Sequence, residues 1–328
     1  MNDILLTALD ESHFPISAMA AFGVLQVLTL SAVADAEEQA SPAAPPPRLS
    51  WQERPRWTAV LHTHLTRDEV LETLTSAATR VATAPVWTTH SDLRDMTPAG
   101  YRALLQADIS QADQQVAAAF ACEWPLRGSA SKGVQNGEKL LLTPFFMTSG
   151  QQRWCKIICD AARASARSTP GSDNPIAEAL FGPWRYAQQV SALGWDPATE
   201  RHYALEAKAP TDSKPISVAA AVWLAAESLA LFPSFGVGRT LRVPCFDQVG
   251  QTFFWPLWRA PLSIDAVRAM LRLPLAKSGQ VGDRNEATAL QRQFRMRGIA
   301  AVFASRRGAS PAGHGYFVFS PSQLLWSS

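Results

Sequence analysis

The run from Ile16 to Val33, ISAMAAFGVLQVLTLSAV, carries no charged side chain. A helix that is apolar on every side has no face to turn toward water, so it is enclosed by protein or by lipid. The run falls short of the about 20 residues that span a bilayer. It is rich in Ala, Ser and Thr, lacks flanking Lys or Arg, and follows the strand-like ILLTAL. These features predict a helix buried in protein, from about Ile16 to Ala36, and no membrane partner. A second run, Ile216 to Leu231, has Glu227 as its only charge, with Val218, Val222, Ala225 and Leu229 at helical spacing. It is predicted to be a second core helix.

Around these two helices the pattern alternates between helix and strand without barrel or Rossmann rhythm. Strands are predicted at Ile4–Leu9, Arg48–Gln52 and Trp57–His64, the last two as a hairpin turning at Glu53-Arg54-Pro55. Helices are predicted from Thr66 to about Val81, over Ala103–Phe120 with a break at Asp-Ile-Ser, and from Thr148 to Ala166. Strands follow near Arg239–Cys245 and Thr252–Trp258, then a helix from Ser263 to Leu273. The chain is expected to end with a helix at Asn285–Gly298 and strands at Ile299–Ser305 and Gly315–Phe319. The fold class that results is α+β, with mixed, mostly antiparallel sheets and packed helices. At 328 residues, 47% of them hydrophobic, the chain is long enough for one large domain or two closely packed ones. The expected division is 1–125 and 126–328, with a proline-rich linker at 37–47.

The stretch Asn174–Tyr203 concentrates Phe181, Trp184, Tyr186, Trp195 and Tyr203 around Arg185, Arg201 and His202. Asn174 is placed to cap a short helix with Pro175 and Glu178 in its first turns, and Gly182-Pro183 to stop it. An apparent strand follows at His202–Glu206. Two readings stand: a Trp-rich core wedge, or arginine donors Arg185 and Arg201 beside the rings of Trp184, Tyr186 and Trp195. The second arrangement suits a single strand of nucleic acid or a socket for another subunit.

Charge is unevenly spread. The net charge is only +2, but residues 259–328 hold ten bases against Asp265, Asp283 and Glu286. Residues 1–55 hold seven acids against Arg48 and Arg54. In the basic quarter, arginine supplies nearly all the charge: Arg284, Arg292, Arg295 and Arg297 precede Arg306-Arg307. Arginine favours bidentate phosphate contact, so Arg292, Arg295, Arg306 and Arg307 are candidate phosphate ligands, with the last two expected to follow the strand and swing back toward the helix. The segment 126–139, LRGSASKGVQNGEK, lacks the spacing of a phosphate-binding P-loop. It is either a surface loop or one whose Arg127, Lys132, Gln135, Asn136 and Lys139 touch nucleic acid. The cations at 153, 156, 163 and 167 read as a solvated helix face.

Enzymatic signatures are sparse. His62 and His64, on one strand face with Asp68 following, match the paired histidines of a metallohydrolase, but the other histidines are scattered and no barrel rhythm supports them. Four cysteines show neither secreted nor zinc-site spacing, which fits reduced thiols in a cytoplasmic chain. No metal or other cofactor and no catalytic activity are expected.

FGPWRY, then SALGWDPATERHYAL, then WLAAESLALFP, together with the opening LTALDESHFPISAMAAFGVLQVL and the closing IAAVFASRR and GYFVFSPS, resemble CRISPR-associated proteins of type I-U/I-G systems, within the effector-complex (Cascade) large-subunit-like families. The resemblance runs over most of the chain. It departs at Glu11, Ser12 and His13, where the family texture shows Asn or Asp. It implies a non-catalytic subunit that helps hold guide RNA and/or target DNA, with other effector subunits as partners. A scaffolding subunit without nucleic-acid contact is the other reading of the same residues.

Overall fold

The computed structural model describes residues 1–39, 44–88, 96–107, 109–124, 139–147, 153–167, 174–199, 215–237, 240–275, 284–309 and 317–328. β1 (Asn2–Asp10) leads through a 3-10 turn at Glu11–His13 into α1 (Ile16–Gln39), three residues longer than predicted and running into the expected linker. β2 (Arg48–Glu53) and β3 (Trp57–Thr63) form the predicted hairpin, and β1 pairs with β3 to give an antiparallel sheet in the order β1-β3-β2. α2 (Arg67–Thr83) starts at a capping box: Thr66 Oγ1 accepts from Glu69 N–H while Glu69 accepts from Thr66 N–H at 2.7 Å. Both ends of a first-turn deficit are met this way, and the same bonds hold the Glu69 carboxyl below its ordinary range.

Next come α3 (Pro85–Thr88), α4 (Pro98–Gln106) and α5 (Gln111–Phe120), the last two being the predicted interrupted helix. β4 (Ala121–Trp124) pairs antiparallel with β5 (Lys139–Leu142), an unpredicted pair that brackets the segment 125–138. α6 (Trp154–Ser165), α7 (Pro175–Phe181) and α8 (Ala219–Glu227) follow, α8 ending in a 3-10 turn at Ser228–Leu231. β6 (Phe235–Val237) and β7 (Thr240–Arg242) make a small hairpin, and β8 (Thr252–Trp258), α9 (Ile264–Leu271), α10 (Arg284–Met296) and β9 (Ile299–Ala309) lead to β10 (Phe317–Phe319) and β11 (Gln323–Ser327). β9 is central to the second large sheet, with β8 on one side and β10 and β11 in line on the other, all antiparallel. The architecture is α+β with antiparallel sheets, as the sequence predicts.

α1 and α8 are the two charge-poor helices, and they pack on each other. Every residue of α1 from Ile16 to Leu28, and every residue of α8, is buried. α1 is also long and apolar enough to cross a membrane by composition, but 72% of that stretch is buried inside this molecule. Glycine sets how near the helices come: a Cβ built on Gly23 would stand 1.8 Å from the carbonyl oxygen of Leu224. Ala20, Ala21, Ala220, Ala221 and Ala225 are equally inaccessible, so the pair meets nearly backbone to backbone.

The core does not divide near residue 125. Leu49 of β2 exchanges backbone hydrogen bonds of 2.9 Å with Leu262, and its carbonyl accepts from Trp258 Nε1 at 2.7 Å. Phe22 of α1 stacks on Trp258 of β8 at 6.0 Å, and one hydrophobic cluster contains residues from both expected domains.

One buried acid pair sits where α8 meets α5. Glu227 accepts from Trp223 Nε1 at 3.0 Å, and Asp113 accepts from Trp87 Nε1 at 2.7 Å and from Ser110 Oγ at 2.6 Å. Desolvation, with the Asp113 charge adding to it, pushes the Glu227 carboxyl up to about 7, against the weaker pull of Trp223 and Arg80. A carboxyl with a raised folded-state pKa binds its proton more tightly when folded. Stability contributed by Glu227 is therefore complete below about pH 4.5 and is lost as pH rises to about 7, amounting to about 3 kcal/mol. Chemical denaturation from pH 5 to 8 is expected to show that decline in the wild type and a flatter profile for Glu227→Gln. Equal slopes would contradict the assignment.

Candidate nucleic-acid interface

The aromatic stretch is organised from α7. Asn174 Oδ1 accepts from the backbone N–H groups of Ile176 and Ala177 at 2.8 and 3.2 Å, the predicted cap. Gly182, at φ 71°, ends the helix with its N–H on the Glu178 carbonyl, and the Gly182–Pro183 peptide is cis. The left-handed conformation there is open to glycine at little cost. Thr7 of β1 donates to the Phe181 carbonyl at 2.8 Å, fixing this helix end on the first sheet.

Glu178, buried, then gathers the loop. Its carboxylate accepts from Arg185 N–H at 2.7 Å, from the Arg185 guanidinium at 3.1 Å and from Gln188 Nε2 at 3.1 Å. Gln188 in turn accepts from Ala219 N–H at the start of α8. Arg185 thus braces the loop while its guanidinium stays half-exposed, a structural role that stands beside its reading as a phosphate contact. A buried carboxylate needs such partners, since leaving it bare is costly. Nothing in the spacing of Glu178 and Arg185 signals this, because they are brought together by the turn between them.

The tryptophans separate into two environments. Trp195 is fully buried, its Nε1 donating to the Phe145 carbonyl at 2.9 Å and its ring set edge-on to Trp154 at 5.8 Å. It is a core residue and offers no face to a base or a partner, which corrects the stacking expectation at this position. Trp184 is half-buried, with Nε1 on the Ala179 carbonyl at 3.1 Å. One of its faces is covered by His13, stacked at 4.1 Å, and Tyr186 stands edge-on at 6.1 Å with its own backbone at φ 52°. His13 borders a polar cleft of about 320 Å³ whose other walls include Glu11, Ser12, Arg56 and Asp196. Burial draws the His13 pKa down, against the attraction of Asp10.

The basic quarter forms two sites rather than one. On α10, Leu290 and Phe294 are buried, with Phe294 against Trp326 at 5.5 Å, while Arg292, Arg295, Met296 and Arg297 face outward. Arg292 and Arg295 share a face, as i,i+3 spacing dictates. Arg306 and Arg307 lie inside β9, not after it: Thr252 of β8 is opposite Arg306, and Phe319 of β10 is opposite Arg307. Backbone pairing with both neighbours carries the strand four residues past the apolar run, a signal the side chains do not carry. Ile299 and Arg306 are then separated by roughly 23 Å of strand, and the two arginines point to opposite faces. Arg306 is exposed.

Arg307 is half-buried beside a cleft of about 530 Å³ formed by Leu142–Pro144, Phe146, β7 and the turn Phe246–Gly250. Its Nη1 donates to the Gly250 carbonyl at 3.0 Å, and its guanidinium lies 4.8 Å from the centre of the Phe317 ring.

Some other cations are neutralised locally. Arg163 and Lys156 both close on Asp160, Arg259 on Glu53 and Arg268 on Asp265. Among the described residues no acid forms an ion pair with Arg292, Arg295 or Arg306.

Arg127, Lys132, Gln135, Asn136 and Arg201 lie outside the described residues, as does the predicted strand at His202–Glu206; Lys139 opens β5, its side chain likewise outside them. Set against protein-family models, curated proteins and solved structures, the chain matches none.

The histidine pair is not presented as a metal site. His62 has both ring nitrogens engaged across the sheet, Nδ1 with Asp3 at 2.7 Å and Nε2 with Ser50 at 2.8 Å. His64 falls beyond the end of β3 and is exposed. Among the described residues no three His, Cys, Asp or Glu side chains converge as ligands. Cys155, Cys159 and Cys245 are buried, with burial raising the pKa of Cys159 and Cys245.

Proposed function

We propose that this chain is a non-catalytic nucleic-acid-binding subunit of a type I CRISPR effector complex, helping to hold guide RNA and/or target DNA. The observation that carries the binding half of this reading is the outward face of α10. Arg292 and Arg295 stand exposed there on one helix face, without an acidic partner among the described residues. Such a surface attracts a phosphate backbone without reading its sequence. Arg306 adds a further exposed cation on β9. The effector-complex half rests on the family resemblance of the FGPWRY, SALGWDPATERHYAL and WLAAESLALFP segments.

The test is copurification. Protein isolated at low salt with its effector partners is expected to carry nucleic acid, read as excess absorbance at 260 nm. Arg292→Ala/Arg295→Ala is expected to weaken binding roughly tenfold, from two exposed charge contacts of about 0.7 kcal/mol each. An assembled complex with undiminished nucleic acid in that variant would overturn the assignment of the surface.

A second reading, a scaffolding subunit, is favoured by a different observation. Phe235 and Val237 on the small β6–β7 hairpin are 48% and 50% exposed, and exposed apolar side chains on one hairpin mark a protein contact. Phe235→Ser/Val237→Ser that loses partner subunits while keeping oligonucleotide affinity separates this surface from the arginine face.

A further inference from the structure

The cleft beside Arg307 holds a charge that Asp247 attracts but that no ion pair among the described residues closes. Arg307 uses Nη1 on the Gly250 carbonyl, while its Nε is buried without an acceptor among the described residues. Asp247 is the acid in the wall, yet its Oδ1 is taken by the N–H groups of Val249 at 3.2 Å and Gln251 at 2.8 Å. No ion pair joins it to Arg307 among the described residues. A partly desolvated guanidinium without a carboxylate contact is set up for an anion from outside. The rest of the lining is largely apolar: Leu142, Pro144, Phe146, Leu241 and Val243 surround the space, with Thr143 among them. At about 530 Å³ the cleft falls in the size range of sites that enclose small ligands.

We infer that this cleft takes one unstacked nucleotide of a single strand, its phosphate on Arg307 and its base against Phe146 and Leu241. The inference rests on the nucleic-acid-binding reading and assigns that reading a base-holding site. A second cation on the same side favours a nucleotide over the carboxylate of an acidic peptide: Arg242 donates to the carbonyl of Gln248, a residue of the cleft wall. A peptide terminus needs one guanidinium, whereas a strand passing the mouth brings a phosphate on each side of the base; Arg306, on the other face of the sheet, takes no part. Stacking of a base on an aromatic wall tolerates every base, so little sequence preference follows.

The probes are a 20-mer of deoxythymidine and the same phosphodiester length made wholly of abasic sites, titrated against the full chain. The wild type is expected to bind the base-bearing strand roughly fivefold or more tightly than the abasic one, the contribution of one stacked base. Arg307→Ala, and Val249→Glu at a rim position 75% exposed and so without cost to the fold, are expected to reduce that ratio toward one. Arg292→Ala/Arg295→Ala is expected to weaken both strands alike and keep the ratio. A ratio unmoved by both cleft variants overturns the inference and leaves the binding reading standing. Loss of both strands' affinity in none of the variants overturns the binding reading instead. An acidic peptide that binds the wild type but not Val249→Glu, with no base-dependent ratio, assigns the cleft to a protein partner and overturns the nucleotide.

Discussion

Gly23→Val is expected to abolish folding, and Gly23→Ala to destabilise by roughly 3 kcal/mol or more, the upper range for overpacking a rigid core. The reason is the backbone on the other side. The added carbon would stand 1.8 Å from the Leu224 carbonyl oxygen, and that oxygen cannot rotate away because it belongs to the hydrogen-bonded interior of α8. Relief needs α1 and α8 to part. Doing so opens the contact between the two most deeply buried helices, and through Phe22 and Trp258 it disturbs the seat of the second sheet. Thermal unfolding followed by circular dichroism reads the effect, with Gly23→Ala expected to lower Tm by on the order of 5–10 °C. Wild-type stability in Gly23→Val would mean the helices do not approach as described.

The second large effect separates the two tryptophans of the aromatic stretch. Trp195→Ala removes a fully buried ring and strands the Phe145 carbonyl that accepts its Nε1 proton. A cost of about 3–5 kcal/mol is expected, seen as a lowered denaturation midpoint or as insoluble expression. Trp184→Ala removes a half-buried ring stacked on His13, and about 1–2 kcal/mol is expected, in proportion to the smaller area lost. Equal losses at the two positions would contradict the division into core and surface. Any selective loss of assembly or binding is expected only for Trp184.

Local signals made much of this fold legible in the sequence. Asn174 and Thr66 each cap a helix as their side-chain chemistry suggests, and the charge-free runs predict two enclosed helices because no polar face is available. The hairpin at residues 48–63 follows from apolar runs on either side of Arg54-Pro55. What was not legible depends on contacts between distant residues. β9 runs to Ala309 because β8 and β10 pair with its backbone, which no property of Arg306 or Gly308 announces. β11 was missed, its residues Leu324 to Trp326 lying after a Ser-Pro-Ser break that resembles a tail. The tie between Arg185 and Glu178 is not announced, because the two lie seven residues apart across a turn. Trp195 and Trp184 are identical in composition, and only the fold tells buried from half-buried.

The central claim is that an unpaired arginine face on α10 holds a phosphate backbone, and salt dependence tests it most directly. Each single-strand phosphate contact contributes about 0.7 to the slope of log K against log salt, through released counterions. Anisotropy titrations of the wild type and of Arg292→Ala/Arg295→Ala, on two single strands of unrelated sequence, give the slopes. The expected result is a slope shallower by about 1.4 in the variant, the same for both sequences. An unchanged slope on both strands would contradict the account and leave α10 a solvated helix face.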